Sequence, residues 1–181
     1  YFLLREVGFA GDGNFTWERF DERYLADLAD GLGNLASRSL AMLEKYRGGV
    51  VPEAPLTSLD QAGAEAVAAY AKAMDQLDLK GGAEAAWSLV TAANQYIVQV
   101  APWTLAKQKQ EAELDQALGA LARCLGRLAV LVEPFMPGKA RDLWGYLGQD
   151  ASQPRKWAQA AAPALSGATV RKPDGLFPKP A

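Results

Sequence analysis

The chain has 181 residues, half of them apolar and 22% charged, enough for one well-cored folded domain. Nineteen basic and twenty-one acidic side chains give a net charge of −2, so a strongly basic nucleic-acid footprint is absent at whole-chain level. There is no histidine and one cysteine, which excludes Ser-His and Cys-His nucleophilic pairs, histidine metal sites, multi-thiolate zinc and an intrachain disulfide.

Residues 1–4 are apolar but run straight into Arg5 and Glu6, too short a stretch for a signal peptide. Tyr1 is not an initiator, so the expectation is a cut inside a larger protein, located in a reducing cytoplasm. Gly8, Gly11, Asp12, Gly13 and Asn14 predict a loop over residues 7–15. Thr16 is placed to cap a first helix, in which Phe20, Tyr24, Leu28, Leu32, Leu35 and Met42 recur at helical spacing as far as Tyr46. After a connector with Pro52 and Pro55, Ser58 and Gln61 predict a capping box. The second helix then carries Val67, Tyr70, Met74 and Leu77, and Gly81-Gly82 is expected to break it.

A third helix presents Ala86, Val90, Ala93, Ile97 and Val100, stopping near Pro102 because proline disfavours helix in the residue before it. Leu114, Leu118, Leu121, Leu125, Leu128 and Val132 define the fourth, ended by Pro134. Ala140, Leu143, Trp144 and Leu147 mark a short fifth. The longest apolar runs, such as residues 128–132, are too short to span a bilayer, and no segment alternates as a strand should. The fold class is all-α, a bundle of about five helices with an irregular proline-rich C-terminal tail. The expected division is a junction over 1–15, the bundle over 16–148, and a tail over 149–181 with a helical turn or two around Trp157, packed on the bundle.

In the first helix, Asp27, Gly31, Asn34 and Arg38 are spaced to share one exposed face. Gly31 and Gly33 cost helix stability there, which points to close approach by another helix or a ligand. Asn34 and Arg38 offer planar, paired hydrogen-bonding groups suited to base edges or phosphates. Trp103, stiffened by Pro102, reads as a stacking platform for an unpaired base. The bland alternatives are a solvated polar face and a core aromatic at a helix junction. Lys107 and Lys109 come next as phosphate contacts or ordinary solvated lysines, while Arg123 and Arg127 read as a solvated i,i+4 pair. Trp17, Trp87, Trp144 and Trp157 read as packing residues or tail anchors, and Gly11-Asp12-Gly13-Asn14 lacks the strand and lysine of a phosphate loop.

Five strings occur in order: Asn34-Leu35-Ala36-Ser37-Arg38, Asn94-Gln95-Tyr96-Ile97, Ala101-Pro102-Trp103-Thr104-Leu105-Ala106-Lys107, Pro134-Phe135-Met136-Pro137 and Leu176-Phe177-Pro178. Together they resemble the C-terminal helical domain of a bacterial-type methionyl-tRNA synthetase, and Tyr1-Phe2-Leu3-Leu4-Arg5-Glu6 resembles that family's junction with its catalytic half. The resemblance implies a class I synthetase anticodon-binding domain that recognises the CAU anticodon of methionine tRNA. Trp103 would stack on an anticodon base, Asn34 and Arg38 would hydrogen-bond in the same pocket, and Asp30 and Lys107 would lie at its periphery. The partners implied are methionine tRNA and the catalytic half of the parent synthetase, with no membrane, DNA or cofactor.

The family's His-Ile-Gly-His string is impossible without histidine and its Lys-Met-Ser-Lys-Ser string does not occur, so this chain alone is not expected to activate methionine. The family usually has asparagine at the positions of Leu25 and Asp30. Leu25 is expected to strengthen packing, and Asp30 to set a carboxylate one turn before Asn34. Together with the acidic balance, these two favour an alternative of another class: a helical structural or protein-interaction domain derived from the same fold with weakened or lost RNA binding. The corresponding domain of a related class I synthetase is a third possibility, opposed by the Ala101-Pro102-Trp103 string.

Overall fold

The computed structural model describes residues 1–6, 13–171 and 175–178. Helices succeed one another as α1 (Phe2–Glu6), α2 (Trp17–Arg23), a π-helix (Tyr24–Gly33), α3 (Asn34–Arg47), α4 (Ser58–Asp75), α5 (Leu79–Val100), α6 (Pro102–Gln108), α7 (Glu111–Leu131), α8 (Pro137–Tyr146) and α9 (Ala158–Ala161). Among the described residues the sole extended pairing is an isolated bridge between Val50 and Thr169. The all-α bundle is therefore present, with the five expected helices supplemented by three short ones. Of the predicted first loop, residues 7–12 lie outside the described residues, and residues 13–15 are non-helical.

Thr16 caps α2 as its sequence position requires, its hydroxyl accepting from the Arg19 amide at 3.2 Å. The capping box of α4 is one residue earlier than expected. Thr57 is the cap, and the Asp60 carboxylate reaches back to the Thr57 amide at 3.0 Å, while Gln61 bonds Glu65 instead. Thr57→Ala should cost about 1 kcal/mol of stability. Thermal unfolding should register it as a fall in Tm of roughly 2–4 °C for a domain of this size.

Gly81-Gly82 does not break the second helix. The chain leaves α4 at Asp75, passes through Leu77 in the left-handed region at φ 58°, and re-enters a helix under Asp78, which accepts from the Gly81 amide at 2.8 Å. The two glycines lie in the first turn of α5, where a Cβ on Gly82 would sit 2.8 Å from the Met74 sulfur. The smallness of Gly82 serves the packing of the hairpin, and that of Gly81 leaves room for the Asp78 cap.

α7 runs through the centre and is buried on every side from Ala117 to Leu131. Its leucine stripe faces the neighbours as predicted, but Arg123 and Arg127 are not solvated. Both are buried and grip Asp60 of α4: Arg123 donates at 2.7 Å to each carboxylate oxygen, and Arg127 donates at 3.1 Å. A helix surrounded by others has no solvated side, so these charges could enter only with an opposite charge to meet them. The tail lies on the bundle through buried Ala160, Leu165, Val170, Leu176 and Phe177. Backbone bonds from Val51 to Ala168, Val170 to Gly49 and Arg171 to Tyr146 hold it there. Of the tryptophans read as packing residues, Trp87 and Trp144 are buried, whereas Trp17 is 68% exposed, edge-on to Phe15 and Phe20. Trp17 opens a short helix whose residues are all partly or fully exposed.

Candidate functional site

The first predicted helix is continuous in space but not uniform. Between α2 and α3 the chain winds through ten residues of π-helix, with i→i+5 hydrogen bonding such as Asn34 N–H to the Ala29 carbonyl. The wider turn shifts the phase of everything placed by α-helical spacing. Asp27 consequently does not share an exposed face with Asn34 and Arg38. It turns inward, accepting from the Tyr1 hydroxyl at 2.5 Å and from Arg23 at 3.4 Å, while its carbonyl accepts from the Trp87 indole at 3.1 Å. Burial and then the bond to Asp27 push the Tyr1 hydroxyl well above its ordinary pKa.

The glycines answer to the same winding. A Cβ on Gly31 would lie 2.9 Å from the Ala26 carbonyl oxygen, and one on Gly33 the same distance from that of Leu28. Each carbonyl belongs to the residue five back, so the close approach that the sequence foretold comes first from the helix itself. Val90 of α5 and Phe177 of the tail then pack against these bare positions, at 3.7 and 3.4 Å.

Arg38 and Trp103 meet. The Arg38 guanidinium lies 6.0 Å from the centre of the Trp103 ring, within range of a cation–π contact, and the ring is 45% exposed. The local sequence explains how Trp103 is aimed. Ala101 is forced out of the right-handed helix by the proline after it and takes the left-handed conformation at φ 47°. Pro102 then opens α6 as its first residue, a position where its missing N–H costs nothing. The predicted stop near Pro102 is correct, and the chain enters a new helix there at once. Pro102 is buried and Trp103, the next residue, faces out.

Asn34, at the first turn of α3, is exposed, and Lys107 is exposed in the last turn of α6. Arg47 anchors the far end of α3 to α7, donating to Asp115 at 2.5 Å and to Glu111 at 2.8 Å. A groove of about 560 Å³ runs between the π-helix and α5, lined by Asp27, Asp30, Gly31, Trp87, Asn94 and Gln95 among others, and by none of Asn34, Arg38, Trp103 and Lys107. Asp30 is exposed on its wall. Leu25 does not strengthen packing as expected, because the π-turn leaves it 36% exposed.

Asn94 stands out in the sequence only as part of a string. Its amide donates to the Val90 carbonyl at 3.1 Å and reaches the Gly31 carbonyl at 3.5 Å, the outer limit of a hydrogen bond, tying α5 to the π-helix. A polar residue within the apolar stretch of α5 was the available signal, since such a residue needs a partner.

A family model described as the anticodon binding domain of methionyl tRNA ligase matches residues 48–180. The chain belongs to that family. A second model, described as tRNA synthetases class I (M), matches residues 1–40, so Asn34 and Arg38 fall in one match and Trp103 in the other. The methionine–tRNA ligase of Bacillus subtilis is 37% identical over 187 residues, covering 99% of this chain and 28% of that protein. That of Brucella melitensis is 39% identical over 186 residues, covering 99% of this chain and 36% of that protein.

Among solved structures, the free-state methionyl-tRNA synthetase of Mycobacterium tuberculosis aligns with a TM-score of 0.89 at 33% identity, covering 100% of this chain and 38% of that one. The same enzyme bound by methionyl-adenylate gives 0.87 at 33% identity, over 98% of this chain and 37% of that one. The chain thus spans about a third of the length of the methionyl-tRNA ligases it matches. No helix among the described residues is long and apolar enough to cross a membrane. In this methionyl-tRNA ligase domain, the contact between Arg38 and Trp103 is the place where the two matched stretches touch through side chains of the predicted site.

Proposed function

We propose that this chain binds the anticodon arm of methionine tRNA in the cytoplasm and reads its CAU anticodon. Trp103 supplies the stacking face, Arg38 and Asn34 the hydrogen-bonding edge, and Asp30 and Lys107 the periphery. The observation that carries this reading is the half-exposed Trp103 ring with the Arg38 guanidinium against it. Single-stranded RNA is recognised by splayed bases that stack on aromatic rings and guanidinium planes and are then read on their edges. A ring and a guanidinium held side by side by two separate helices offer both operations at one place.

The same reading includes a catalytic half of the parent synthetase as the second partner. The order of residues 1–6 supports a defined junction. Arg5 pairs with Glu84 at 3.0 Å and the Tyr1 ring lies 4.4 Å from that of Trp87, so this segment is fixed to both the π-helix and α5.

The test is a titration of the chain with an RNA stem-loop carrying CAU against one with a changed wobble base. The CAU loop should bind tighter by about 1–3 kcal/mol, the worth of one good paired contact to a base edge. Equal affinity for the two loops would refute sequence reading, and absence of binding to either would favour the structural-domain alternative.

A further inference from the structure

α3 and α6 lie side by side and run the same way. Arg38 of α3 meets Trp103 at the start of α6, and further along α3 Arg47 meets Glu111 and Asp115, just past the end of α6. The last turns of the two helices therefore come together at one end of the bundle. That end carries three lysines: Lys45 on α3, Lys107 on α6 and Lys109 at its C-terminal cap.

Lys45 stands two helical turns beyond Arg38, about 10 Å along the same face. Lys107 stands one turn beyond Trp103. All three lysines are exposed, and among the described residues none of them forms an ion pair with a carboxylate. The Lys45 ammonium lies 5.2 Å from the centre of the Tyr46 ring, while Glu44 points about 100° away around the helix. Arg47, by contrast, is taken up by Glu111 and Asp115.

Toward the opposite end of α3 the sign of the surface changes. The groove between the π-helix and α5 is lined by Asp27 and Asp30 and by no cation, so the lysine side is the one that attracts phosphate. A chain of net charge −2 thus keeps three unpaired cations beside its exposed stacking ring. Lysines meet phosphate as point charges, and neighbouring fields add within a Debye length of about 8 Å. We infer that Lys45, Lys107 and Lys109 hold the phosphates of the RNA loop whose base lies on Trp103. This rests on the tRNA-binding reading and adds to it the path of the RNA backbone, along the C-terminal halves of α3 and α6.

The test measures binding of the CAU stem-loop and the changed-wobble stem-loop to the chain at several salt concentrations. Lys45→Gln and Lys109→Gly should each reduce the slope of log affinity against log salt by about 0.7, the worth of one phosphate contact to a single strand. Near 0.1 M salt each should weaken both loops alike, by about fivefold. Lys109 is in the left-handed region at φ 58°, where glycine is at ease, so that variant should keep the fold. Lys72→Gln, at an exposed lysine in the last turn of α4, should leave the slope unchanged. An unchanged slope in both test variants overturns the inference. A loss confined to the CAU loop, which marks a base contact, or an equal loss in Lys72→Gln, which marks net charge alone, also overturns it. Equal affinity of the chain for the two loops, with the slope still lost in the variants, refutes the CAU reading and leaves the phosphate path standing. Absence of binding to either loop overturns both.

Discussion

Asp60→Ala should destabilise the domain by about 3–5 kcal/mol, the usual cost of leaving buried charge without its counter-charge. Asp60 is 4% exposed and accepts four strong bonds: two from Arg123, one from Arg127 and one from the Thr57 amide. The guanidiniums have little else. Arg123 reaches the carbonyls of Ala54 and Pro55 at 3.4 and 3.2 Å, and the Arg127 Nε is already buried without a partner. Alanine would therefore strand two cations in the middle of the bundle and remove half of the α4 capping box. Urea unfolding measures the loss, and a loss below about 1 kcal/mol, the range of an exposed pair, would mean that water reaches the site.

The same carboxylate sets an acid limb. Burial alone would raise the Asp60 pKa, but the bonds from Arg123 and Thr57, the Arg123 charge and the bond from Arg127 outweigh it and hold the group below its ordinary value. A depressed carboxylate contributes its full stability above its unfolded pKa of about 3.9, and that contribution fades as pH falls through the lower folded value. Wild-type stability should accordingly drop as the solution is taken below about pH 4. Asp60→Asn should show a flatter acid limb from a lower plateau.

Trp103→Ala should weaken binding of the CAU stem-loop by about 1–3 kcal/mol while leaving the helical circular dichroism intact. The fold should survive because Pro102, not Trp103, is the buried residue of this elbow, and the ring is nearly half in solvent. Arg38→Ala should also weaken binding, and the double variant should lose less than the sum of the two. Each side chain partly acts through the other, with the cation–π contact itself worth about 0.5–1 kcal/mol at an exposed site. Full additivity would place the two residues on separate parts of the RNA. An unchanged affinity in Trp103→Ala would discard stacking altogether.

What the sequence could convey varies with the range of the interaction. The leucines of α7 announce their helix because a repeat of three and four is a local property. The burial of Arg123 and Arg127 is not local, since the partner carboxylate arrives from α4, sixty-three residues away from Arg123. A cue was nevertheless present. Ala117, Gly119, Ala120, Ala122, Gly126 and Ala129 fill the positions between the leucines, and a helix with small residues all round is one that others surround. The π-helix was hidden because Tyr24, Leu28 and Leu32 are four residues apart, a spacing that both windings accept, and only Gly31 and Gly33 betrayed crowding. Pro102 carried two messages, an end and a beginning, and periodicity alone expressed the first. Asn34, Arg38 and Trp103 were individually ambiguous; their family resemblance, rather than their spacing, named them together.

Cys124 sits within the part of α7 that is enclosed on all sides, and burial pushes its thiol up to about 12. Thiol reagents attack the exposed thiolate, and the folded domain offers neither exposure nor ionisation at this position. For a labelling chemist the native chain is therefore effectively thiol-free. One cysteine introduced on the surface, for instance at Gln108 at the end of α6, would carry a fluorophore alone. Distances from that end of the bundle to a docked RNA could then be measured without first replacing Cys124 and disturbing the packing around it.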